Sequence, residues 1–150
     1  MSDNLSDLYQ EVILDHSRNP RNYGINDNYS RTARGNNPLC GDRVSIFLNI
    51  KDGNITDVSF DARGCAISLA SASMMTEMIK GKPTDEARSL CSRFHSVITD
   101  EKGMSFSADM EELSALSGVR NFPTRIKCAT LAWYAMTAAL DGDNDEVKTE

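Results

Sequence analysis

A chain of 150 residues, 40% hydrophobic and 25% charged with a formal net charge of -6, is long enough to bury one core without a metal or disulfides to hold it. The acidic balance excludes the broad basic face on which nonspecific nucleic-acid binding depends. No apolar run reaches the ~20 residues that a membrane span needs. Met1-Ser2-Asp3-Asn4 lacks the basic-then-apolar layout of a secretory signal, so the expected location is the cytoplasm, where the cysteines are free thiols or metal thiolates and not bridges.

Leu5, Leu8, Tyr9, Val12 and Ile13 recur at helical spacing, which predicts a first helix from Asn4 to His16 with Ser2 or Asp3 as its cap. Asn19-Pro20 ends it, because the residue before proline is pushed out of the α region. Residues 18–37 read as a polar loop with a short edge strand near Tyr29 to Ala33. Val44, Ile46, Leu48 and Ile50 then alternate with polar positions, as do Thr56, Val58, Phe60 and Ala62, and Asp52-Gly53 between the two runs suits a two-residue turn. An antiparallel hairpin is the result.

After Gly64-Cys65 the period becomes helical through Ile67, Ala70, Met74 and Met78, with Gly81 as the stop. Pro83-Thr84 opens a helix whose buried face is Ala87, Leu90, Cys91, Phe94 and Val97 or Ile98. A polar loop over 100–107 and a short helix from Met110 to Leu116 follow. Pro123 opens a last helix, apolar on most sides to Leu140 and therefore enclosed by its neighbours. Residues 1–140 read as a single domain, and 141–150, with five acids against one lysine, as a disordered tail.

Asn37-Pro38-Leu39-Cys40-Gly41-Asp42 places a thiol and a carboxylate two residues apart in a Gly/Asn/Pro loop, where neither has a packing role. The hairpin returns Cys65 to their neighbourhood, at the start of a helix whose dipole favours a thiolate. Cys128 sits in the opening turns of the last helix. Three thiols and a carboxylate suit tetrahedral Zn²⁺, and three thiolates equally suit an iron-sulfur cluster. The bland alternative is three ordinary core thiols. Cys91, in the middle of an apolar helical face, is read as core. His16 and His95 on helices, the methionines Met74, Met75 and Met78, and the arginines Arg18, Arg21, Arg31 and Arg34 are read as structural or solvent-facing.

Leu8-Tyr9 through Asp15-His16, Asn19-Pro20-Arg21-Asn22, the Cys40 loop, Gly64-Cys65-Ala66-Ile67-Ser68 and Phe122-Pro123-Thr124-Arg125-Ile126-Lys127-Cys128-Ala129 together resemble the SufU branch of the IscU/NifU N-terminal family of iron-sulfur cluster assembly proteins. The resemblance implies an α+β fold of the SufE/NifU-like kind, a small antiparallel β-sheet with helices packed mainly on one face. It implies zinc held by Cys40, Asp42, Cys65 and Cys128. It also implies sulfur transfer from a PLP-dependent, SufS-like cysteine desulfurase, with an iron-sulfur scaffold or other sulfur acceptors downstream. Cys40, on the hinged loop, is the expected sulfur acceptor. The scaffold branch looks as if it carries histidine where this chain has Lys127. Arg125 and Lys127 are expected to offset the -2 charge that three thiolates and one carboxylate give with Zn²⁺. The alternatives are a scaffold that assembles a [2Fe-2S] cluster, and a non-catalytic interaction module with a structural zinc.

Overall fold

The structure, a computed structural model, describes residues 11–99, 108–142 and 146–149. Helix α1 (Glu11–Arg18) is followed by strands β1 (Arg31–Asn37), β2 (Asp42–Lys51) and β3 (Asn54–Arg63). Helices α2 (Ala66–Ile79) and α3 (Thr84–Ile98), a 3-10 segment (Ala108–Asn121), helix α4 (Pro123–Leu140) and strand β4 (Val147–Lys148) complete the chain. The expected start of the first helix with its cap, and the polar loop at 100–107, lie outside the described residues.

The expected hairpin forms. β2 and β3 pair antiparallel around Asp52 and Gly53, whose φ angles of 54° and 78° are the left-handed values that a type I′ turn requires. Val44, Ile46, Leu48, Val58, Phe60 and Ala62 are buried, as their alternation predicts. Thr56 is the exception. Ile50 pairs with Ile55 across a bulge, so Thr56 becomes the extra residue and Ile55 takes the core position.

Two expectations need correction. The strand placed near Tyr29 to Ala33 at the edge of the sheet is Arg31–Asn37 and internal, because the strand order is β3-β2-β1-β4. Its inward positions are Ala33, Gly35 and Asn37, too small or too polar to announce a buried strand. Within the expected tail, Val147 and Lys148 form β4, which runs parallel to β1 beside Gly35 and Asn36. Thr149 is buried there, its N–H bonded to the Asn36 carbonyl at 3.1 Å and its hydroxyl donating to the Lys127 carbonyl at 3.1 Å. The sheet is thus antiparallel over three strands and parallel at the β1–β4 step.

The helices lie on one face. α4 packs on β1 and β2, while α2 packs on β3 and against both α1 and α4. On the other face Phe47 is shielded by the Tyr29 ring, with centroids 5.5 Å apart. α2 is so enclosed that even its Ser68, Ser71, Ser73 and Thr76 are buried, which is tolerable only where such hydroxyls find partners. Ser71 Oγ donates to the Ala129 carbonyl at 2.6 Å and accepts from Trp133 Nε1 at 3.1 Å, joining α2 to α4. Thr76 Oγ1 accepts from Asn22 Nδ2 at 3.0 Å and holds the N-terminal segment.

α3 buries Ala87, Leu90, Cys91, Phe94, Val97 and Ile98, the face expected from its period. Phe94 stacks on Trp133 of α4 with centroids 4.7 Å apart and planes 18° from parallel. The short helix expected over Met110 to Leu116 is part of the longer 3-10 segment, which buries Leu113, Leu116 and Val119.

Candidate metal centre

The candidate ligands meet at one end of the sheet because the chain folds back there three times. Asn37 and Asp42 are the last pair of the β1–β2 ladder, so Pro38-Leu39-Cys40-Gly41 is the loop between them. Arg43 and Arg63 are the last pair of β2 with β3, which brings Gly64 and Cys65 alongside Asp42. α2 starts at this end with Cys65 as its N-cap residue. Pro123 starts α4 with Cys128 in the second turn. Two helix N-termini therefore face the same pocket, and their partial positive charge favours anionic side chains.

Ligand atoms of Cys40, Asp42 and Cys128 lie within 4.8 Å of one another. Cys65 Sγ is 3.9 Å from Asp42 Oδ2 but does not come within that range of all three others. Asp42 and Cys128 are fully buried, whereas Cys40 and Cys65 are half-buried. Asp42 Oδ1 accepts the Cys65 N–H at 2.9 Å, so Oδ2 is the oxygen turned to the thiols. A Cβ on Gly64 would stand 2.1 Å from Asp42 Oδ1, and its φ of +147° is one that L side chains rarely adopt. Gly64 is the residue that lets the carboxylate sit where it does.

The Cys65 and Cys128 thiols are hydrogen-bonded to each other. That bond, above all, lowers Cys65 to about 7 against the opposing effect of burial, and the N–H groups of Ser68 and Ile67 add to it. The same bond, with burial, pushes Cys128 up. Two hydrogen-bonded thiols, a third on the adjoining loop and a buried carboxylate beside them are a donor set that a divalent cation would complete. It would balance thiolate and carboxylate charge that is costly to bury alone. The residues present fit zinc on that ground.

Arg125 and Lys127 lie half-buried on the turns of α4 that deliver Cys128. Cys91 is far from the pocket in sequence and in packing; it is buried with Sγ 3.9 Å from the Trp133 carbonyl, and burial raises its thiol, as a core cysteine should show. His16 is also buried, with Nδ1 2.7 Å from Ser73 Oγ and Nε2 2.9 Å from Glu112 Oε1, and so ties α1 to α2 and the 3-10 segment. His95 Nδ1 is 2.6 Å from the Tyr134 hydroxyl. Of the four arginines, Arg21 pairs with Asp15 at 2.6 Å, while Arg31 and Arg34 lie on β1.

One residue at the site was not anticipated. Asn37 is fully buried, and its Nδ2 lies 3.4 Å from Asp42 Oδ2 and 3.5 Å from Cys128 Sγ. In the sequence it reads as a turn residue before Pro38; only the β1–β2 register turns it inward.

An α+β sheet-and-helix domain with a thiol–carboxylate pocket at one sheet end is the class that fold and site define. The family model for the NifU-like N-terminal domain matches residues 8–143, and the chain belongs to that family. It is 46% identical over 134 residues to the zinc-dependent sulfurtransferase SufU of Bacillus subtilis (strain 168), covering 89% of each chain. It is 38% identical over 136 residues to the iron-sulfur cluster assembly scaffold protein IscU of Streptococcus pyogenes serotype M1, covering 91% of this chain and 84% of that one. Among solved structures, a proposed scaffold protein of the SUF system from Fervidobacterium islandicum AW-1 superposes with a TM-score of 0.83 at 31% identity, over 91% of this chain and 99% of the other. Among the described residues no helix is long and apolar enough to cross a membrane.

Proposed function

We propose that this chain is a zinc-dependent sulfur-transfer protein of iron-sulfur cluster biogenesis, taking sulfane sulfur from the persulfide of a PLP-dependent cysteine desulfurase. Cys40, Asp42, Cys65 and Cys128 are its zinc ligands. The observation that supports this most is their convergence at one sheet end, read beside a relative at 46% identity that is named a zinc-dependent sulfurtransferase.

Zinc, when bound, keeps sulfur ligands deprotonated at neutral pH and shields them from oxidation. The residues divide the remaining work. Cys65 and Cys128 belong to helices packed in the core, and Asp42 is pinned by the Cys65 N–H, so none of them can leave without disturbing the fold. Cys40 is half-buried on the loop, between Leu39, which is 61% exposed, and Gly41, around which a side chain would meet nothing within 4 Å. It is the thiol a partner can reach. Its thiolate attacks the terminal sulfur of the donor's Cys–S–SH; a new S–S bond forms at Cys40, the donor's S–S bond breaks, and the donor cysteine leaves as thiolate with no net oxidation. Arg125 and Lys127 offset the negative charge of the pocket. Iron-sulfur scaffolds or other sulfur acceptors receive the sulfur afterwards.

Incubation of the zinc protein with a cysteine desulfurase and cysteine, followed by intact-mass analysis, tests the reading. Desulfurase turnover is expected to rise and a sulfur atom to appear on Cys40, and C40A is expected to lose both while melting like the wild type. Undiminished sulfur uptake by C40A would overturn the assignment. A [2Fe-2S] assembly scaffold is the second reading, favoured by the name of the Streptococcus pyogenes relative. Anaerobic reconstitution that yields a stoichiometric cluster, transferred intact to an apo-protein, would decide for it.

A further inference from the structure

The four candidate ligands are not held alike, and the difference centres on Asn37. Its side chain is fully buried and every polar atom of it is engaged. Nδ2 donates one N–H toward Asp42 Oδ2 at 3.4 Å and the other toward Cys128 Sγ at 3.5 Å. Oδ1 accepts the Leu39 N–H at 3.3 Å, and the Asn37 carbonyl accepts the Cys40 N–H at 3.3 Å. One residue thus touches two ligands through its amide and carries the base of the loop that presents a third.

We propose that Asn37 is the positioning residue of the metal pocket, a neutral clasp that holds Asp42 and Cys128 at ligand distance. This rests on the reading that those side chains ligate zinc. With Asp42 Oδ1 taken by the Cys65 N–H and Oδ2 facing the Asn37 amide, the carboxylate has a donor at each oxygen. Cys128 is gripped by its helix and by the same amide. The clasp must be neutral, because a carboxylate here would add a third negative charge to a pocket already at -2 with zinc. It must be short, because the residue stands directly opposite Asp42 in the β1–β2 ladder and the amide has only that gap to bridge. An amide meets both conditions and supplies two donors in one plane. Hydrogen bonds to anionic ligands also set how strongly they donate to a metal, so removal of such a partner commonly costs about 10–100-fold in affinity.

The test uses the full chain and two variants that lose the donors: N37L, which keeps the branched shape with bulkier ends, and N37A, which is less demanding of the fold. Zinc affinity is measured by competition with a chromophoric chelator. The Co²⁺-substituted proteins are compared by their sulfur-to-metal charge-transfer and d–d bands, and the metal-free proteins by their melting temperatures. Both variants are expected to lose about 10–100-fold in affinity and to show displaced Co²⁺ bands, with a loss larger than any change in metal-free melting would produce. If N37L does not fold, N37A carries the same reading. Wild-type affinity and unshifted bands in the folded variants would overturn the proposal. So would weakened binding with unshifted bands that merely tracks metal-free stability. Zinc binding undiminished in a Cys128→Ser protein would instead bring down the ligand assignment, and this inference with it.

Discussion

Gly64 and Asp42 show how closely single residues constrain this site. A methyl group at Gly64 collides with the carboxylate oxygen that the Cys65 N–H holds, and the backbone there has a φ of +147°. Gly64→Ala is therefore expected to cost about 1–3 kcal/mol from backbone strain alone, and to loosen the metal because Asp42 must move. Urea unfolding and chelator competition on the same variant check both effects; a variant with unchanged metal retention would mean that Asp42 has room the structure does not show. Much at this scale was legible in the sequence. Cys40 and Asp42 stood out because a loop gave neither a reason to be buried, and Cys91 because an apolar helical face did. Asn37 was not legible, since its contacts depend on a strand register that its own neighbours do not advertise.

Elements with a strong period were readable, and those without one were not. The β2–β3 hairpin and helices α2, α3 and α4 begin and end within a few residues of where alternation, Pro83, Pro123 and Gly81 place them. β1 was read only in part, as a short edge strand near Tyr29 to Ala33, because Arg31-Thr32-Ala33-Arg34-Gly35-Asn36-Asn37 buries only small or polar side chains, and the bulge at Thr56 was missed because alternation does not show an extra residue. α3 meets α4 through the Phe94–Trp133 stack and through the contacts of Cys91 and His95 with Trp133 and Tyr134. Phe94→Ala is expected to destabilise by about 3–5 kcal/mol, the usual cost of emptying an aromatic core site, while the folded fraction still binds metal. Equilibrium denaturation with a parallel zinc titration measures this. A loss below about 1 kcal/mol would show that the stack is not a principal support of α4.

For the whole molecule, length decides what a metal can mean. A chain of this size buries a continuous core of sheet and helices without help from the pocket at its end. Chelation is thus expected to lower the melting temperature but to leave far-UV circular dichroism and cooperative unfolding intact, and zinc at 100 times its Kd to restore about 2.7 kcal/mol. Collapse to an unfolded spectrum on chelation would make the metal a folding staple instead. The α+β class and the one-sided helices were implied by the family resemblance of the motifs, and the strand order and packing agree with them. β4 was not expected, because a two-residue parallel strand in an acidic segment is placed by β1, by the core beside Val147 and by the Lys127 carbonyl that Thr149 meets, none of which its own residues signal.

The hairpin and β4 also decide where a spectroscopic label belongs. The Asp52-Gly53 turn lies at the opposite end of β2 from Asp42, about 30 Å away at ~3.3 Å per residue, so a fluorophore there should register tumbling and partner encounter while staying blind to the chemistry. Residue 148 pairs with Asn36, next to the clasp, and its neighbour Thr149 holds the residue before Cys128. A dye at that position would sense each excursion of the loop, and a bulky purification handle there would obstruct what it was meant to observe.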